Sequence, residues 1–166
     1  MEEIINVANY ICEEYLRQSG EPIDELKLQK LLYFSQRESL AVLGCALFSE
    51  AMEGWIHGPV STDVRREFDL ELGMFTVVND ISIGAKRIIN NALEEYGHLA
   101  SWKLRELSHC EISWQRSREG LSVNSRGNKN INIEDIREDA KKIRPFDHTW
   151  GMYYDEFDDY DGEVSQ

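Results

Sequence analysis

Apolar residues recur along most of this chain at helical spacing. From Glu2 to Gln18, the positions Ile4, Ala8, Ile11, Cys12, Tyr15 and Leu16 form one stripe, and Gly20 and Pro22 stop the pattern. A second helix is predicted from Asp24, a good N-cap, to Leu43, with Leu28, Leu31, Leu32 and Ser35 on one side and Gly44 as its stop. The period is lost between Cys45 and Thr62, where a loop should pack through Phe48, Met52 and Trp55, with room for a short extended piece. Ser61 or Thr62 then caps a helix to Leu72 carrying Val64, Phe68 and Leu72 inward. The β-branched stretch 74–81 reads as a short strand or an extended connection.

Ser82 opens an amphipathic helix in which Ile83, Ile88, Ile89, Ala92, Leu93 and Tyr96 alternate with charge, closed by Gly97. Another runs from Ala100 to Cys110 with Trp102, Leu104 and Leu107, and Ser113 to Arg116 can add one turn. Residues 117–130 are polar and glycine-containing, which predicts a mobile loop. Asn132 caps a last helix, Ile133 to Ile143, that Pro145 closes. The expected fold is mainly α: one compact domain of about six helices, with at most a short β element near 45–60 or 74–81. Its predicted span is 1–145, followed by an acidic, aromatic tail, 146–166, whose composition predicts a flexible segment.

Charge narrows the function. The chain has 166 residues, with 31 acids against 18 bases, for a net −13. The last twelve residues hold six acids and no base, and the rest of the chain is still acidic. Phosphate neutralisation needs Lys and Arg in excess, so direct nucleic-acid binding is not expected, nor is an anionic membrane surface. Opposite charge steers encounter, which favours a basic protein partner. No apolar run approaches the length of a bilayer span. The start lacks a basic segment and a cleavage site, and the three cysteines are widely spaced. Reduced thiols in a cytoplasm, with no disulfide framework and no metal, are the expectation.

Catalytic signatures are missing: there is no GxSxG, HExxH, Walker A loop or GxGxxG. His109 and Cys110 are neighbours in sequence and point about 100° apart on a helix, a poor nucleophile pair. A packed histidine at a helix end, favoured there as a cation by the helix dipole, is the better reading. Ordinary core packing is expected for at least two of Trp55, Trp102 and Trp114. Catalytic, cofactor-binding and metal-binding residues are therefore left unassigned.

Three stretches stand out in order. KLQKLLYF comprises Lys27, Leu28, Gln29, Lys30, Leu31, Leu32, Tyr33 and Phe34. EGWIHGPVSTDVRREF, from Glu53 to Phe68, contains Trp55, Gly58, Pro59 and Val60. YGHLASWKLRELSHCEISWQ, from Tyr96 to Gln115, contains His109, Glu111 and Trp114. Together they resemble the motifs of the Panacea-type antitoxin family, a prophage-rich bacterial group. Ser35-Gln36 stands where the family usually has Ala-Gln, and Ile56-His57 where it tends to have Lys-Tyr.

The resemblance implies a mainly helical antitoxin that neutralises a cognate toxin by direct binding in a two-gene module. The motif residues then read as scaffold, with Lys27, Gln29 and Lys30 on the polar side of the second helix and Gly58-Pro59 making a tight turn. Contact surfaces fall to the loop 117–130 and to the tail. In the tail Asp155, Phe157, Asp158, Asp159 and Tyr160 are candidate toxin-binding residues, because acids interleaved with aromatics mimic a charged, stacking ligand. Two other readings stay open: an adaptor that delivers a bound protein to a protease, and a small helical hydrolase using His57 and His109 with Glu53 and Glu111.

Overall fold

A computed structural model describes residues 1–143 of the chain. The order is α1 (Ile4–Ser19), α2 (Glu25–Val42), β1 (Glu53–Trp55), β2 (Gly58–Val60), α3 (Thr62–Glu67), α4 (Ile83–Tyr96), α5 (Ser101–His109), α6 (Ile112–Ser117) and α7 (Ile133–Ala140). The architecture is mainly α, as the periodicity predicts, with one antiparallel hairpin that pairs Glu53 with Val60 and Trp55 with Gly58. Side chains of Asp24, Ser61, Ser82 and Asn132 cap α2, α3, α4 and α7, each accepting a backbone N–H of the first turn.

The central element is α2. Helices α1, α4, α5 and α7 and strand β2 all pack on it, and every residue from Lys27 to Leu40 is buried. Leu28, Leu31, Leu32 and Phe34 meet Ile4, Val7 and Ile11 of α1, Ile88 and Ile89 of α4, Leu104 of α5 and Ile136 of α7 in one core. A helix enclosed on all sides has no solvent face to leave its polar residues on. The expected polar side of this helix therefore does not exist: Lys27, Gln29 and Lys30 are inside.

Three local expectations are corrected. Helix α3 ends at Glu67 rather than Leu72, because the Asp69 carboxylate accepts the backbone N–H groups of Glu71 and Leu72 and bends the chain into a turn. Leu72 is consequently exposed, while Phe68 packs on Phe75 with ring centroids 5.6 Å apart. Of the two readings of stretch 74–81, the structure shows the connection, with one bridge from Asp69 to Met74 and no strand. Helix α7 stops at Ala140, short of Ile143.

Loop 117–130 is tied down rather than loose. Gly54 N–H donates to Lys129 O (2.9 Å), Ile56 N–H to Arg126 O (2.8 Å) and Ile131 N–H to Met52 O (2.7 Å), so the loop lies along β1 like a third rung. The Arg118 guanidinium gathers the carbonyls of Gly54, Ser125 and Arg126. Trp102 is 62% exposed, and Trp55 and Trp114 are half-buried, so none of the three is an ordinary core residue.

Candidate functional site

The polar residues of the first motif act as clamps inside the molecule. Gln29 holds Ser61 by both backbone groups: its Oε1 accepts Ser61 N–H (2.8 Å) and its Nε2 donates to Ser61 O (3.1 Å). Lys30 Nζ, fully buried, donates to Pro59 O at 2.9 Å. Lys27 Nζ donates to Gly97 O at 2.9 Å and lies over the Tyr15 ring. Gln36, two turns beyond Gln29, takes the backbone N–H of Leu47 and donates to Phe48 O. A buried carbonyl or amide without such a partner costs roughly 1–3 kcal/mol. These side chains thus bind the hairpin and its flanking loop to α2.

The second motif supplies what the clamps grip. Its turn lies at Ile56-His57, not at Gly58-Pro59, which with Val60 forms β2. Gly58 has φ +108°, and a Cβ there would stand 2.5 Å from Ser108 Oγ and 2.7 Å from Lys30 Cε. Only glycine lets β2 come this close to α2 and α5. Gly54, opposite Pro59, is equally tight against Ser117. The Trp55 indole donates to Glu53 Oε2 (2.6 Å), and its carbonyl accepts the Trp114 indole N–H (2.8 Å).

The third motif closes the arrangement. The His109 ring stacks on Trp114 with centroids 3.9 Å apart. Burial, with the charges of Arg105 and Lys30, pushes the imidazole down to about 4. His109 is therefore neutral at physiological pH, which corrects the expected helix-end cation. Glu111 meets Arg37 in a buried ion pair of 2.6 Å. Burial raises the Glu111 carboxyl despite the opposing guanidinium. Burial would lower Arg37, but Glu111 and the phenols of Tyr96 and Tyr33 outweigh it and hold the guanidinium charged. Tyr33 shares its hydroxyl among Ser113 Oγ, Glu111 and Asp139, and burial pushes it well above the usual phenol range.

Asp139, from α7, accepts the backbone N–H groups of Ile112 and Ser113 at 2.9 and 2.8 Å. Burial acts to raise its carboxyl; those hydrogen bonds and Lys142 win and hold it below the ordinary carboxylate value. Arg37, Asp139 and Arg118 were not singled out by motif. Only Arg37 has a visible signal, the run of polar residues in α2, which interrupts any apolar stripe and marks a helix buried on every side.

Between the first turn of α2, the hairpin tip and α3 lies a cleft of about 150 Å³, walled by Trp55, His57, Arg65 and Glu25 with Lys30 beneath. Arg105 Nε donates to His57 Nδ1 at 3.0 Å. Arg105 thus joins His57 and His109 electrostatically, yet neither carboxylate of the hydrolase reading bonds an imidazole: Glu53 is held by Trp55 and Glu111 by Arg37. Among the described residues no group of three or more His, Cys, Asp and Glu could hold a metal ion. None of the described helices is long and apolar enough to cross a membrane. The candidate tail residues, Asp155 to Tyr160, lie outside the described residues.

The Antitoxin SocA-like, Panacea domain family matches residues 28–115. The chain belongs to this family. The matched span runs from within α2 to within α6 and takes in the three motifs except Lys27, so what the Panacea family shares here is a central helix, the hairpin it clamps and the α5–α6 corner. Helices α1 and α7, which complete the core, lie outside the match. No curated protein and no solved structure matches the chain.

Proposed function

We propose that this Panacea protein is an antitoxin-like binding module that neutralises a cognate toxin by direct contact, without chemistry of its own. One observation carries the reading: the buried polar side chains of the motifs are consumed by internal partners. Lys30 is bound to Pro59 O, Gln29 to Ser61, Tyr33 to Ser113 and Arg37 to Glu111. A motif interior spent on holding a shape leaves recognition to exposed residues, which suits a domain whose partners differ. The scaffold role extends to Leu28, Leu31, Leu32, Phe34, Gly58, Pro59, Val60, His109 and Trp114.

The net charge of −13 supports a partner that is basic overall, and the acid-and-aromatic composition of Asp155 to Tyr160 supports a second point of attachment to it. A reduced, cytoplasmic setting fits the three free cysteines. The test is co-expression with the product of the neighbouring reading frame. A growth-inhibiting polypeptide, tolerated only with this chain and co-purifying with it, is the expected result. Turnover of a small metabolite by the purified chain, or no co-purifying polypeptide, overturns the proposal.

A further inference from the structure

Three guanidinium groups gather around the cleft. Arg65 and Arg126 set their guanidinium carbons 5.2 and 4.2 Å from the Trp55 ring, one reaching from α3 and the other from the tied loop. Arg105 adds a third guanidinium beside His57. The neighbouring acids are engaged: Glu25 pairs with Arg65 at 3.2 Å, Glu53 bonds the Trp55 indole, Asp24 accepts the Ser101 hydroxyl and Glu106 pairs with Lys103. None of the four is paired with Arg105 or Arg126, which have no carboxylate partner among the described residues. One helical turn from Arg105 stands Trp102, 62% exposed. Tryptophan and arginine are the residue types that dominate protein–protein hot spots.

From this we infer that the cleft, with Trp102, Arg105 and Arg126 at its rim, is where the partner polypeptide seats an acidic segment carrying an apolar or aromatic side chain. Carboxylates of the partner meet Arg105 and Arg126, and its ring lies against Trp55 or Trp102. A nucleic acid is the poorer occupant, since a chain of net −13 repels a long polyanion beyond a few bases. A partner basic overall is still steered in at long range; the seated segment is a local matter. The inference rests on the binding-module reading and names a site for it.

Two assays separate site from module. In the first, the full chain is titrated with a Glu/Tyr copolymer peptide at physiological salt while the indole N–H signals are followed by NMR, beside a Lys/Tyr copolymer and a single-stranded oligonucleotide. The Glu/Tyr peptide should bind and move the Trp55 and Trp102 signals. Arg105→Glu with Arg126→Glu should weaken it at least about tenfold, whereas Arg87→Glu on α4, an element that does not line the cleft, leaves it unchanged. Equal binding of the Lys/Tyr peptide, stronger binding of the oligonucleotide, or an unaltered double variant overturns the site. So does movement of the Trp55 signal in Asp158→Asn/Asp159→Asn without peptide, which would make the chain's own acids the occupant. In the second assay the double variant is co-expressed with the toxin. Retained neutralisation removes the partner from this cleft and leaves the module reading standing. Peptide binding by a chain that neutralises nothing keeps the acid-accepting cleft and removes the module reading.

Discussion

Lys30 is the residue whose setting departs furthest from expectation. Its ammonium is fully buried against Pro59 O, with no carboxylate bonded to it, and burial together with Arg105 outweighs the more distant Glu25 and pushes it down to about 7. An unfolded lysine titrates near ~10.4. Between those values the unfolded chain binds more protons than the folded one, so this residue's contribution to stability is full above the upper value and is lost as pH falls toward the lower. The slope is at most about 1.4 kcal/mol per pH unit. Denaturant unfolding at several pH values from neutral to mildly alkaline should show stability rising with pH, and Lys30→Met should flatten that rise. A slope that survives in Lys30→Met would place its origin elsewhere. His109, pushed down to about 4, follows the same sign further down. Its imidazole should keep the neutral tautomer pattern in ring NMR spectra well below the ordinary histidine range, and an ordinary titration would contradict the stacked, desolvated setting on Trp114.

At the scale of elements, the hairpin is the piece whose fit to α2 tolerates least. Gly58→Ala forces a side chain into positive φ and into the space of Ser108 Oγ and Lys30 Cε, and should cost about 2–4 kcal/mol in thermal or denaturant unfolding. Gly84, in the first turn of α4 with nothing within 4 Å, is the opposite case: Gly84→Ala should stabilise by about 0.5 kcal/mol. Similar losses at both positions would mean that glycine content, not close approach, matters. The helices were legible beforehand because their apolar periods and caps are local: Asp24, Ser61, Ser82 and Asn132 each sit where the pattern starts. The burial of Lys27, Gln29 and Lys30 was not legible. Periodicity assigns polar residues to solvent, and the carbonyls that satisfy these three belong to segments brought up only by the tertiary fold. The tying of loop 117–130 was hidden for a related reason, since its bonds to β1 are made by backbone groups that every residue type carries. Of the site, the three motifs were readable in position, whereas the Arg65, Arg105 and Arg126 cluster required the hairpin, α3, α5 and the loop to meet.

Across the whole molecule, the family match and the folding unit have different boundaries. Residues 28–115 begin after the Asp24 cap of α2 and end before α7. Cutting there removes Ile4, Val7 and Ile11 from one side of α2 and Ile131 and Ile136 from another. It also strips Asp139 from Tyr33, Ser113 and Ile112, leaving buried donors unpaired at roughly 1–3 kcal/mol each. Loss of several large aliphatic side chains adds some ~2–5 kcal/mol apiece by analogy with truncation in a core. A domain holds only about 5–15 kcal/mol in reserve. A fragment of 28–115 should therefore retain helical far-ultraviolet circular dichroism without a cooperative thermal transition, while 1–143 unfolds in a single sharp step. Supplying α1 and α7 as separate peptides should not restore that step, because their docking would then have to overcome the entropy of association as well. A sharp, reversible transition in the 28–115 fragment would mean that α1 and α7 are attachments to an already complete Panacea core rather than walls of it.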